Sequence, residues 1–215
     1  MQDRYFRDIT TWVFDLDNTL YSPEVRLFDQ IEKRMTNYVM RTLRVSRDRA
    51  DFLRRHYWEA HGTTLAGLMS EHQIDPEPYL VDVHDISFDA LKPDPVLIAA
   101  LSRLPGRRIV YTNGSAPYAR NVLSARGLQD TFDAVYGVED AGFRPKPDQR
   151  AFETVFAKDG LAPQSAAMFE DEARNLIAPH AMGMQTVHVT PKAIASPHIH
   201  HHTADLAGFL SQIVA

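Results

Sequence analysis

The chain has no cysteine among its 215 residues, which removes disulfides, thiolate nucleophiles and thiolate metal sites from consideration. Positive charge is in short supply as well. Its 23 Lys and Arg stand against 28 Asp and Glu, a formal net charge of −5, so the basic face of a general nucleic-acid binder is not expected. Long apolar runs are missing: none nears the roughly 20 residues that a membrane span needs, and no stretch reads as a secretory signal peptide. What is left is an ordinary globular composition, 44% hydrophobic and 24% charged. The length fits one large domain, or a core with a modest insertion. A soluble, cytoplasmic protein without nucleic-acid or membrane partners is expected.

The most informative stretch is Asp15-Leu16-Asp17-Asn18-Thr19, which follows the apolar run Trp12-Val13-Phe14. Side chains alternate faces along a strand, so carboxylates two residues apart can point the same way. Two like charges at the edge of a core raise each other's pKa and call for a cation or a reaction. A strand entering an Asp/Asn-rich turn would read the same way on its own. Three later elements add to it. Arg108-Ile109-Val110-Tyr111 is a strand that ends in Thr112-Asn113-Gly114-Ser115, a hydroxyl, an amide and a glycine-flanked backbone that can present donors to an oxyanion. A lysine lies between two prolines in Arg144-Pro145-Lys146-Pro147, and Ala166-Ala167-Met168-Phe169 is a strand ending in Glu170-Asp171-Glu172.

Four such elements in this order resemble the haloacid dehalogenase (HAD) superfamily of phosphohydrolases. Asp15 and Asp17 match its first motif, Thr112 the second, Lys146 the third, and Glu170 with Asp171 the fourth. The resemblance implies that Asp15 is a nucleophile forming an aspartyl-phosphate and that Asp17 is the general acid and base. It implies Lys146 as partner of Asp15 and of the transferring phosphoryl group, and Thr112 with the Asn113 and Gly114 amides as a phosphate cradle. A phosphate dianion approaches this many carboxylates only with a cation, and all-oxygen ligands suit Mg2+. The expected ligands are the Asp15 and Asp171 carboxylates, the Asp17 main-chain carbonyl and Glu170, the last directly or through water.

Between Thr19 and about Phe88 the short β-branched runs give way to amphipathic stretches. Leu27, Ile31, Met35, Tyr38 and Val39 recur at helical spacing, then Phe52, Leu53 and Tyr57. Roughly a hundred positions separate Asp15 from Thr112, where a crossover between parallel strands needs only about a dozen. The resemblance makes this an all-helical C1 cap inserted into a Rossmann-like α/β core with a parallel sheet. The expected division is a core of residues 1–18 and 89–215 and a cap of residues 19–88. In the core, helices are expected over 97–104, 117–126, 149–156 and 174–181, and strands over 134–136 and 185–189. His198, His200, His201 and His202 precede Thr203, read as the cap of a short apolar helix, and are expected in a strand or loop rather than on a metal.

Within the superfamily the pyrimidine 5′-nucleotidase-like branch is the nearest in pattern, on Phe14 to Ser22 with Asn18 and Tyr21, on Tyr57-Trp58 with Gly62 to Leu68, and on Leu91 to Pro95. It implies hydrolysis of UMP or CMP, releasing nucleoside and phosphate; a monomer or small homo-oligomer is expected. Thr63 and Thr64 are expected to reach the substrate. Tyr21, Tyr57 and Trp58 are candidates to stack on a base, although Tyr57 and Trp58 fit the cap's own interior better. His84 and Asp85 either face the cleft or form a hinge. Other small phosphate esters (phosphoglycolate, FMN, a sugar phosphate), a phosphomutase and a non-catalytic phosphate-ligand-binding protein are the alternatives. A dehalogenase needs neither Asp17 nor Asp171.

Overall fold

The structure, a computed structural model, describes residues 3–213. Among them six strands form one sheet, β1 (Thr11–Phe14), β2 (Arg107–Tyr111), β3 (Ala134–Tyr136), β4 (Ala166–Glu170), β5 (Gln185–Val189) and β6 (His201–Thr203). Their order is β3-β2-β1-β4-β5-β6 and every pairing is parallel. β1 is central, and its residues alternate between two apolar layers: Trp12 and Phe14 enter one, Val13 the other. Burial on both faces explains why β1 and β4 read as continuous apolar runs, as parallel strands do.

Four helices lie between β1 and β2 ahead of the crossover helix: α1 (Leu27–Leu43), α2 (Arg47–His61), α3 (Thr64–His72) and α4 (Pro76–Val83). α1 buries Leu27, Ile31 and Val39 along one stripe, which sets it against α2 and α4, while α2 packs on α3. The stripe joins the same apolar layer as Trp12 and Phe14.

The remaining helices are α5 (Pro95–Ser102), α6 (Ala116–Ala125), α7 (Gln149–Asp159), α8 (Ile177–Ala181) and α9 (Leu206–Ile213). Starts are marked chemically: Asp75, Asp94 and Ser115 each cap a helix through the side chain, with proline in the first turn. Two details differ from the sequence reading. The helix expected over 174–181 is split into a 3-10 turn, Ala173–Leu176, and the short α8. Before α9 it is Asp205, not Thr203, that caps: Asp205 Oδ1 accepts from the Gly208 N–H, and Thr203 Oγ1 accepts from the Asp205 N–H. Of the histidine-rich segment, His201 and His202 lie in the edge strand β6, and His198 and His200 in the turn and bend before it. No helix among the described residues is long and apolar enough to cross a membrane.

Candidate active site

The carboxyl ends of β1, β2 and β4 meet at one cavity of about 460 Å³, in the size range of small-molecule sites. Asp15 directly follows β1, and its N–H donates to the Phe169 carbonyl of β4 at 2.9 Å. The chain then turns back, with the Leu20 N–H on the Leu16 carbonyl and Asn18 in the left-handed region at φ 59°. Asparagine tolerates that conformation, and here its side chain is used: Nδ2 donates to Asp171 Oδ2 at 3.2 Å.

Lys146 is the centre of charge. Its side chain is only 1% exposed, and Nζ donates at 2.6 Å to both Asp15 Oδ1 and Glu170 Oε1 and at 3.1 Å to the Tyr111 carbonyl. Burial disfavours the ammonium, but the two carboxylates outweigh it and hold the Lys146 pKa above its ordinary value. Asn113 fixes the lysine's backbone from the neighbouring strand end, accepting from the Lys146 N–H through Oδ1 and donating to the Lys146 carbonyl through Nδ2. Gly62, at φ 88°, approaches the same loop; a Cβ there would lie 3.2 Å from Pro145 and 3.4 Å from the Lys146 carbonyl.

Glu170 is closely tied. Oε1 also accepts from Asn175 Nδ2 at 2.7 Å, and Oε2 accepts from the Glu172 N–H at 2.8 Å. The Asp171 carbonyl faces His188 Nε2 of β5 at 2.8 Å, which leaves the Asp171 carboxylate toward the cavity. Asp17 lines the cavity too, and its Oδ1 accepts from the hydroxyls of Tyr21 and Tyr118 at 2.6 Å each.

Asp15, Glu170 and Asp171 each offer an oxygen within 4.8 Å of the others, and Lys146 supplies one positive charge among them. The imbalance is visible in the carboxylates. Burial, then the Glu170 charge, pushes Asp15 up to about 8 against the pull of Lys146. Burial, then Glu170 and Asp15, pushes Asp171 up to about 10. Burial also raises Asp17, opposed by its two tyrosine donors. An all-oxygen donor set with too little positive charge fits a divalent cation.

A pH dependence follows from Asp15. Between its ordinary 3.8 and about 8, the unfolded chain releases a proton that the metal-free folded state keeps, so stability falls as pH rises through that window. Thermal midpoints across the window should decline more steeply for the metal-free protein than for Asp15→Asn, and added divalent cation should flatten the decline. Equal slopes for the two proteins would contradict this.

The wall opposite the carboxylates comes from the inserted helices: Phe28, Glu32 and Met35 of α1, Arg54, Arg55 and Trp58 of α2, then Thr63 and Thr64. Thr63 Oγ1 accepts from the Ala66 N–H and so caps α3. Arg174 crosses from the β4 side, its guanidinium 3.8 Å from the Trp58 ring centroid, with bonds to the Trp58 and Gly62 carbonyls. The Nε atoms of Arg54 and Arg174 are buried without a partner among the described residues.

The structure therefore brings Asp15, Asp17, Thr63, Thr64, Thr112, Asn113, Lys146, Glu170 and Asp171 to one cavity. Gly114 is placed differently from the expected cradle: its N–H donates to Thr112 Oγ1, and its bare Cα faces Tyr118 instead of the cavity. Tyr57 packs inside the helical insertion as expected, but Trp58 is 45% exposed and lines the cavity, and Tyr21 is buried against Asp17 with no face open for stacking. His84 and Asp85 are away from this cavity; His84 stacks on Tyr118 and Asp85 pairs with Arg34. The residues missed in the sequence are Tyr118, Arg174, Asn175 and His188.

Comparison with known proteins agrees with this geometry. A "Phosphate metabolism protein 8" from Saccharomyces cerevisiae is 28% identical over 187 residues, 80% of this chain and 58% of that protein, so the chain spans less than two thirds of that relative's length. Among solved structures, a HAD phosphatase from Thermococcus onnurineus superposes with a TM-score of 0.66 at 19% identity, covering 96% of this chain and 98% of that one. An L-2-haloacid dehalogenase from Xanthobacter autotrophicus does so with a TM-score of 0.56 at 19% identity, covering 86% and 79%. The family profile described as haloacid dehalogenase-like hydrolase matches residues 9–183. With most of its length inside that match and its carboxylates and lysine gathered at the strand ends, the chain belongs to the haloacid dehalogenase-like hydrolases.

Proposed function

We propose that the protein is a magnesium-dependent phosphomonoester hydrolase working through an aspartyl-phosphate on Asp15, with pyrimidine nucleoside 5′-monophosphates as its preferred substrates. The observation that carries the reading is Lys146 Nζ held 2.6 Å from both Asp15 and Glu170, with a further carboxylate, Asp17, in the same cavity and tied to different partners. A dehalogenase has no use for that second carboxylate; cleavage of a phosphate ester does.

Asp15 attacks phosphorus while Asp17 gives a proton to the leaving oxygen. Asp17 then takes a proton from the water that hydrolyses the acyl phosphate. Lys146 keeps Asp15 aligned and meets the charge developing on the phosphoryl oxygens, and Thr112 with the Asn113 main chain supports the same oxygens. Mg2+ would be held by Asp15, the Asp17 carbonyl and Asp171, with Glu170 beside them, and would supply the positive charge that these carboxylates and a phosphate dianion lack. The three donors already on Glu170 make positioning of Lys146 its larger part.

On this reading residues 1–18 and 89–215 are the catalytic core and residues 19–88 a cap over it, the outermost positions 1–2 and 214–215 lying outside the described residues. The protein would act on small phosphorylated metabolites in the cytoplasm, as a monomer or small homo-oligomer. Trp58 offers a ring face beside the cavity, and Arg54 and Arg174 bring two guanidinium groups to its wall, where positive charge suits carbonyl or hydroxyl oxygens of the leaving group.

The test is phosphate release with magnesium from UMP, CMP, AMP, FMN, phosphoglycolate and sugar phosphates. UMP and CMP are expected to lead, and EDTA to abolish turnover. Another leading ester would retain the mechanism and replace the substrate. No release from any ester would sink the phosphohydrolase reading.

A further inference from the structure

Asp17 is held by two phenols that lie outside the four catalytic motifs. Tyr21 follows the turn after Asp17 and Tyr118 is on α6, yet both hydroxyls donate to the same oxygen, Oδ1, at 2.6 Å. Both rings are buried, 3% and 1% exposed. Tyr118 is fixed from three sides. Its ring stacks on His84 with centroids 4.3 Å apart and planes at 10°, its N–H donates to Ser115 Oγ, and Gly114 leaves room for it: a Cβ on Gly114 would lie 2.9 Å from Tyr118 Cδ1. His84 is in turn 3.1 Å from Ser115 Oγ through Nδ1.

A carboxylate oxygen has two acceptor sites. With both occupied by phenolic O–H groups, Oδ1 has no room for a proton. Both hydroxyls end buried rings that meet the carboxylate, an acceptor, so each faces Oδ1 as a donor.

We infer that Tyr21 and Tyr118 are positioning residues for proton transfer, confining the proton of Asp17 to Oδ2. The inference rests on the proposed reading of Asp17 as general acid and base. As Asp15 bonds to phosphorus and the P–O bond to the leaving group breaks, the Oδ2 proton passes to the departing oxygen and the bonding pair leaves with it. Asp17 remains as a carboxylate whose Oδ1 keeps both hydrogen bonds. In the second step water loses a proton to Oδ2 as its oxygen bonds to phosphorus and the Asp15–phosphorus bond breaks, its electron pair returning to the Asp15 carboxylate; inorganic phosphate departs and the acid is restored for the next turnover. The two hydroxyls thus fix which oxygen of Asp17 reacts, as a second hydrogen bond fixes the tautomer of a catalytic histidine.

The test compares kcat/KM for an alkyl phosphate, UMP or whichever the panel selects, with that for 4-nitrophenyl phosphate, whose leaving oxygen needs little protonation. kcat/KM covers the steps through P–O cleavage, so hydrolysis of the intermediate does not blur it. Tyr21→Phe, Tyr118→Phe and the double variant keep the rings and lose the hydroxyls; thermal unfolding confirms that they fold. The double variant should lose about 10-fold to 100-fold on the alkyl ester, within what a positioned general acid contributes, and at least about tenfold less on the aryl ester. Equal losses on both esters, or no loss on either, overturn the inference. Should Tyr118→Phe unfold, Tyr21→Phe alone must show the same ester selectivity or the inference fails. Asp17→Asn separates the two layers. If it shows the selectivity and the tyrosine variants do not, the clamp fails alone; if it shows none, the acid assignment fails and the clamp with it.

Discussion

Asp15→Asn is expected to lower kcat by about 10⁴-fold or more while leaving the protein folded. An amide has the carboxylate's shape without its nucleophilic oxygen, and the next carboxylate along, Asp17, is tied to Tyr21 and Tyr118. Lys146 keeps Glu170 at 2.6 Å and the Tyr111 carbonyl at 3.1 Å, so its ammonium is not stranded by the exchange. The metal-free variant should even match or exceed the parent in thermal midpoint near neutral pH, since burial and the Glu170 charge oppose ionisation of Asp15. Phosphate release and thermal unfolding on one preparation check both halves. Residual turnover within a hundredfold of the parent would mean that Asp15 is not the nucleophile.

Lys146→Met should damage both stability and activity. Methionine fills much of the lysine stem's volume, but two carboxylates that shared one ammonium are then left facing each other in a buried site. Removing one partner of a buried ion pair costs about 3–5 kcal/mol, to be read from urea unfolding at neutral pH. Loss of the charge that meets the phosphoryl oxygens should lower kcat by about 10²–10³-fold. A double variant, Lys146→Met with Glu170→Gln, separates the effects: it should recover part of the stability and none of the activity. Recovery of activity would mean that the lysine serves only to neutralise Glu170.

The contrast between these residues and the tyrosines shows what the sequence could and could not reveal. Asp15, Lys146 and Glu170-Asp171 are polar residues at the ends of apolar runs or between prolines, where nothing in the packing calls for them. Buried parallel strands such as β1 and β4 announce themselves by continuous apolar runs. Tyr118 is hidden because an aromatic at helical spacing looks like core, and most of its ring is core; only the hydroxyl is at the site. Trp58 went the other way. It is next to Tyr57 on α2, and neighbours about 100° apart on a helix cannot both face inward, so burial of Tyr57 against α3 turned Trp58 to the cavity. The sequence left β6 open between strand and loop because an edge strand has one partner and little apolar content: it pairs with β5 through His201, His202 and Thr203 alone.

The central place of β1 also governs how the enzyme is assembled. It leaves the ribosome before both of its neighbours, and its partners Arg107 and Ala166 lie far downstream. Pairings between such distant segments are slow to form, whereas contacts within a run of consecutive helices form quickly. The inserted helices can therefore collapse while the strand that ends at Asp15 still has two open edges, the condition in which an apolar segment is most exposed to mispairing. The bond from the Asp15 N–H to the Phe169 carbonyl closes only when β4 arrives. Asp15 is thus located by a partner strand made well after the inserted helices, and a chain interrupted before β4 holds most of its helices but not the carboxylate cluster of the site.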